Sequence, residues 1–305
     1  MTHTKRFMIA ASSVLIASFA AQSQATEFGS PTTAAGVFDF GTGFMPPVTP
    51  IGSFSLRIAP YSADSTRNNS GKSTLPKFSL DVLSISLAYI KRTNYKILGG
   101  DFGYSAVIPY LDMNLDLTTP PGGKVHGSQQ TLGDLQVAPI IIQWDIAPNF
   151  GVNAQLQIQA PTGHFDKNAA INAGMNHWTY SPALGVTYIT SNKIELSSSF
   201  QLDFNTKNKD TDYTSGIEYR HEFGIGKIMD AWTVGLGGYY YKQLTDDKGP
   251  NVPADGNRAQ TIAVGPAIAY FKPGLPALWF HVYKEYHSRN RTQGTSIALR
   301  IAQSF

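Results

Sequence analysis

The sequence predicts an all-β fold, a transmembrane antiparallel up-and-down β-barrel of about twelve strands. Three observations predict it. Segments of about ten to fifteen residues alternate apolar and polar side chains with period two, the pattern of strands with one face in each environment. The connections between these segments are alternately long and short. Beyond residue 25 no apolar run approaches the about 20 residues that a spanning helix needs, so a spanning form must be a closed barrel, in which every main-chain polar group is paired.

Composition agrees. Charged residues make up 15% of the 305 and aromatic residues 12%. A soluble domain is about a quarter charged, so this chain is poor in charge and rich in rings. The formal net charge of +3 is small and the Lys and Arg residues are scattered, so no nucleic-acid partner is expected. The absence of Cys excludes a disulfide scaffold, a thiolate metal site, a Cys nucleophile and a lipid-modified N-terminal Cys.

Taken in order, residues 1–25 read as a cleaved signal peptide. Lys5 and Arg6 precede an apolar run from Phe7 to Ala21, and Ser23-Gln24-Ala25 supplies the small residues of a cleavage site. Residues 26–50 are rich in small residues and Pro and read as a periplasmic lead-in, with two further roles open to them: plugging the barrel or adding a strand. The barrel is expected over 51–305, with strands at 51–60, 78–91, 97–112, 133–146, 150–162, 177–190, 194–206, 212–225, 231–244, 258–272, 276–287 and 294–305. Alternation is clean in Gly151 to Ala160 and in Ile194 to Thr206, and poor in 97–112 and 133–146, which contain Pro109 and Pro139.

Long polar connections are expected at Tyr61–Lys77, Met113–Leu132, Gly163–Asn176 and Thr245–Asn257. Short ones are expected at Arg92–Lys96, Ala147–Asn149, Ser191–Lys193 and Pro273–Leu275. Outer-membrane barrels show this asymmetry, and an even strand count returns both termini to the periplasm. A soluble β-sandwich would also alternate. The long strands and the rings near strand ends (Trp144, Trp178, Trp232, Trp279, Tyr89, Tyr188, Tyr270) favour the membrane barrel. The expected location is the outer membrane of a Gram-negative bacterium, with lipid and small-molecule solutes as partners.

Polar alternate positions should line the lumen: Gln155, Gln157, Gln159, Glu195, Asp203, Glu218, Arg220, Glu222, His281, Glu285 and Arg300. They would form either a solute path or a salt-bridged filling of a narrow barrel. No cofactor, metal site or catalytic residue is expected. His281 and His287 lie six residues apart on one strand, about 20 Å, too far to share a metal. A rim hydrolase built from His287, Ser288 and Asn290 is disfavoured, because adjacent strand residues point to opposite faces. Asp166, Asp210, Asp212, Asp246 and Asp247 lie in external loops, where turn chemistry explains them better than Ca²⁺ binding.

The C-terminal Phe305, preceded by Ile297, Leu299 and Ile301 at alternate positions, resembles the signal by which the assembly machinery recognises outer-membrane barrels; Gln303 departs from that pattern. From about Phe54 onward the chain resembles the outer-membrane transporters of the MetA-pathway of phenol degradation. The resemblance rests on Ile97-Leu98-Gly99-Gly100, Leu132-Gly133-Asp134-Leu135 leading to Pro139, Ala160-Pro161-Thr162-Gly163-His164-Phe165-Asp166, and Asn176-His177-Trp178 with Tyr180-Ser181-Pro182. It continues through Thr211-Asp212-Tyr213 with Ser215-Gly216, Gln243-Leu244-Thr245-Asp246-Asp247, and Gly265-Pro266. The resemblance implies a link to the breakdown of aromatic compounds. The functional expectation is a passive channel for small, aromatic or hydrophobic compounds; the alternative is a side-chain-plugged structural or ligand-binding barrel, with a lipid hydrolase ranked last.

Overall fold

A computed structural model describes residues 26–29, 31–73, 75–250, 252 and 257–305; the expected signal peptide lies outside them. The strands are β1 (Ser53–Arg67), β2 (Lys77–Ile97), β3 (Gly100–Thr119), β4 (Gly123–Leu132), β5 (Leu135–Ala147), β6 (Phe150–Ala160), β7 (Thr179–Ile189), β8 (Ile194–Asn205), β9 (Glu218–Met229), β10 (Trp232–Gln243), β11 (Gln260–Tyr270), β12 (Ala277–Arg289) and β13 (Arg291–Ser304). All pairings are antiparallel. β1 pairs with β13 on one side and β2 on the other, which closes a ring of twelve strands that excludes only β4. Closure is completed by Phe305, whose carbonyl accepts from the amides of Ile51 and Gly52.

β4 is an extra strand on the outer half of β3, pairing Tyr110–Thr119 with Leu132–Gly123, while β5 pairs with the inner half, Asp101–Val107. Pro109 sits where one partner hands over to the other. Its carbonyl accepts from Gly133 N at 2.9 Å, and the amide hydrogen it lacks would point to the same break. The weak alternation of this region has the same origin, since the ladders shift register near Gly103 and across Val137/Ile140, around Pro139.

Met113–Leu132, expected as a loop, is therefore largely strand. Met113 and Leu115 bury against Phe78, Leu80, Ile171 and Ala173, which gives the inner face of this hairpin a core beyond the twelve-stranded ring. The turn expected at Arg92–Lys96 lies instead at Leu98-Gly99, both with positive φ (50° and 79°), a pair that suits a two-residue hairpin turn.

The outer wall carries an apolar band that includes Leu87, Ile108, Leu184, Phe200, Ile225, Leu236, Phe280 and Leu299, all exposed. Rings gather at the end with the short turns: Trp232 lies 4.8 Å from Tyr270, Phe54 lies 5.2 Å from Tyr89, and Phe150 lies 6.0 Å from Tyr188. An apolar belt bordered by aromatic residues is the wall of a membrane barrel.

Candidate functional site: the barrel interior

Residues 26–29 and 31–47 run inside the lumen against β5–β13 and Arg57 of β1. Among the described residues the segment pairs with no strand, so its main-chain groups must find side chains. Carboxylates of the wall accept from its amides and hydroxyls. Glu222 takes Gly36 N (3.0 Å), Val37 N (3.0 Å) and Phe38 N (2.6 Å). Glu195 takes Gly41 N (2.6 Å), Asp203 takes Thr33 Oγ1 (2.7 Å), and Glu218 takes both Thr32 N (3.1 Å) and Thr32 Oγ1. Donors of the wall serve its carbonyls. Arg57 Nη2 reaches Gly36 O (2.8 Å), Trp279 Nε1 reaches Phe40 O (3.1 Å), Asn153 Nδ2 reaches Thr42 O (2.7 Å), and Arg220 Nη1 reaches Thr33 O (3.0 Å) and Ala34 O. Asp39 lies 3.0 Å from His281 Nδ1.

The wall makes room for this segment with glycine. A Cβ on Gly151 would come within 2.3 Å of the Phe44 ring, and one on Gly226 within 2.7 Å of the Phe40 ring. At the long-loop end the segment begins with a single 3₁₀ turn, Glu27–Gly29. Thr26 N donates to Asp247 Oδ2 (2.9 Å), and Asn208 Nδ2 to Glu27 Oε2 (2.9 Å). Burial pushes the carboxyls of both Glu27 and Asp247 above their ordinary values.

Beside the docked segment lies a cavity of about 450 Å³, lined mainly by β1, β2, β3, β5 and β6, with single residues of β8, β9, β10 and β12 and several of β13. One wall is apolar: Leu80, Val82, Val107, Leu111, Met113 and Ile141. Beside it on the same sheet stand Gln136, Gln155, Gln157 and Gln159, Gln136 paired with Val107 and Gln155 with Ile141; Arg57, Arg220, Arg291, Arg300 and Glu285 are also in the lining. The volume lies within the range of ligand sites, about 300 to 1,000 Å³.

The eleven residues expected in the lumen divide between these two settings. Gln155, Gln157 and Glu285 line the cavity; Gln159, Arg220 and Arg300 line it and also bond the segment; Glu195, Asp203, Glu218, Glu222 and His281 are buried beneath the segment. Glu285 is further held by Tyr61 (2.8 Å), Tyr239 (2.8 Å) and Arg291 (2.9 Å). Sequence reasoning missed Arg57, Gln143, Asn153 and Trp279. Arg57 was findable, as a charged residue at an alternate position of an otherwise apolar strand. Asp39, in an irregular segment, carries no periodic signal.

The remaining candidates are engaged elsewhere. Ser288 Oγ lies 2.7 Å from Thr261 Oγ1, and among the described residues no hydrogen bond joins it to His287. Asp247 also accepts from Tyr213 Oη (2.6 Å) and Gly216 N (2.7 Å), Asp246 pairs with Arg258 (2.8 Å), and Asp210 accepts from Asn176 (3.0 Å). Among the described residues no group of three or more acidic or His side chains could hold a metal ion. Ile297, Leu299 and Ile301 lie on the outer face of β13, and Phe305 is exposed at its end.

Comparison with known proteins places this architecture. Residues 63–301 match the profile of the family described as "Putative MetA-pathway of phenol degradation". The COG4313 outer membrane channel from Pseudomonas putida F1 superposes with a TM-score of 0.73 at 15% identity, over 88% of this chain and 100% of that one. The transport unit of the autotransporter AIDA-I from Escherichia coli superposes with a TM-score of 0.52 at 11% identity, over 86% and 94%. At these identities the likenesses establish the fold. No curated protein matches the chain in sequence. The match over most of the strands, on a closed barrel of the expected kind, shows that the chain belongs to the family of the MetA-pathway of phenol degradation.

Proposed function

We propose that the protein is a passive channel of the Gram-negative outer membrane, carrying small molecules with a substantial apolar part. The observation that supports this most is the cavity beside the docked segment: about 450 Å³ within a closed barrel, with an apolar wall next to a row of Gln side chains. A solute with a ring or short chain can exchange water for the apolar wall and keep its polar end on amides and guanidinium groups. The family name points the same way, toward aromatic compounds. Ile297, Leu299, Ile301 and Phe305 would present the chain to the assembly machinery, and the apolar band would meet lipid.

A second reading has its own support. Residues 31–47 are bonded to wall side chains from β5 to β12, as in a plugged barrel that binds a ligand without passing it. Liposome swelling separates the two. The mature chain and a deletion of residues 26–47 are refolded into vesicles and challenged with arabinose-sized sugars and with small phenolics. A channel admits phenolics with the segment in place and both solutes without it. If the intact chain admits neither, while gel migration shows it folded, the plugged reading replaces the channel.

A further inference from the structure

Arg57 on β1 and Arg300 on β13 are direct cross-strand partners, and both line the cavity. Like charges at directly opposed positions repel, so such a pair calls for anionic groups nearby. The carboxylates within reach are otherwise engaged. Glu222 is occupied by three amides of the segment and by Arg220, 3.5 Å away. Asp39 binds His281 and Phe40 N and forms an ion pair with Arg300 at 3.9 Å, with no hydrogen bond between the two.

Donor bookkeeping gives the same answer. A guanidinium has five N–H groups. Among the described residues Arg57 makes one hydrogen bond, to Gly36 O, and Arg300 makes one long one, 3.4 Å to Val37 O. Arg300 Nε and Arg291 Nη1, both on residues of the same lining, are buried without a partner. Buried donors left unpaired in this way are costly, and a ligand that supplies acceptors relieves the cost. Arg300 is also held in orientation, its guanidinium 4.1 Å over the Trp279 ring.

Toward the long-loop end, beyond the level of Tyr61, the lining on β2 and β3 is apolar: Leu80, Val82, Leu111 and Met113. Arg57 pairs with Ser86 of β2, and four residues farther along β1 Tyr61 pairs with Val82, a separation of about 13 Å. Val82 and Met113 are ladder partners, as are Leu80 and Leu115. On β2 the apolar wall thus begins about 13 Å along the barrel from the paired arginines, beyond Ser86 and Ser84.

We propose that this cavity is a binding site for amphipathic carboxylates, with the carboxylate between Arg57 and Arg300 and the ring or chain against Leu80, Val82, Leu111 and Met113. This deepens the channel reading and rests on it for its physiological meaning: the site selects anionic over neutral solutes of equal size. The guanidinium fork matches two carboxylate oxygens, which an alcohol cannot replace.

The test is equilibrium binding to the full mature chain in lipid nanodiscs, by calorimetry, with hydrocinnamate and hydrocinnamyl alcohol as probes. The acid should bind at least about ten-fold more tightly than the alcohol, the worth of one charge-assisted hydrogen bond. Arg57→Gln and Arg300→Gln should each narrow that preference about ten-fold, with folding checked by heat-modifiable gel migration. The comparison of acid with alcohol on the unmodified protein needs no variant. Equal binding of the two probes, binding of neither, or an acid preference untouched by both substitutions overturns the site. Acid binding without solute flux in the swelling assay overturns the channel and leaves the site standing.

Discussion

His281 on β12 lies 3.0 Å from Asp39, a residue 242 positions earlier in the chain. Both side chains are buried, and with Trp279 they fix the segment at the point where it crosses from β12 toward β9. Removing the imidazole leaves a buried carboxyl with its own neighbour's amide as its remaining close donor. A hydrogen bond to a charged group is worth about 1.5 to 3 kcal/mol. His281→Ala should therefore lower the urea midpoint of the vesicle-embedded barrel and raise its ion conductance, as read in planar bilayers. Unchanged conductance would mean that the segment stays docked without this contact.

Gly151 and Gly226 are where the wall yields to Phe44 and Phe40. Any side chain at Gly151 would start 2.3 Å from ring carbons, so the ring or the segment must move. Gly151→Leu should displace the segment near Phe44 and increase both conductance and the rate of protease cleavage within 26–47. In the chain lacking those residues the same substitution should leave conductance unaltered.

The outer band predicts a dependence on depth. Leu236 stands mid-strand on β10, outward and 52% exposed; Leu244 lies just past the strand's outer end. Leu236→Arg should cost about 2 to 4 kcal/mol of barrel stability in lipid, and Leu244→Arg about 0 to 1. Urea titration of both variants in vesicles measures the difference, and equal costs would place the membrane belt elsewhere on the wall.

Glu27 and Asp247 predict a pH effect. Burial raises both carboxyls above their ordinary values of 4.5 and 3.8. A carboxyl so raised holds its proton more tightly in the docked state than in water. Docking of the outer end should thus weaken as pH rises from the ordinary values to the raised ones, and strengthen as it falls back through that interval. Limited proteolysis within 26–47 should be slower at about pH 4 than at about pH 8, and Glu27→Gln with Asp247→Asn should remove the difference.

The wall was legible because it obeys two periods that sequence displays, alternation along strands and the alternation of long and short connections. Ile194–Asn205, which alternates cleanly, matches its expected span almost to the residue. Legibility failed where a third surface intervened. Asn114 and Asp116 made the outer half of β3 read as loop, because this hairpin buries only the face that meets Ile171 and Ala173. Charged alternate positions marked the interior, yet not what they hold. Glu222 and Glu195 bind main-chain amides, and any sequence could supply those.

The threading of the N-terminal segment sets an order on assembly. Its first residues are made before any strand, but Glu222 reaches Gly36 across 186 positions and Arg300 reaches Val37 across 263. Contacts of such separation are slow to form. Until β13 pairs with β1, Arg57 and Arg300 are not side by side, and the contacts they make with Gly36 and Val37 are incomplete. The last strand to join therefore completes two structures at once, the cylinder and the fixing of what the cylinder encloses.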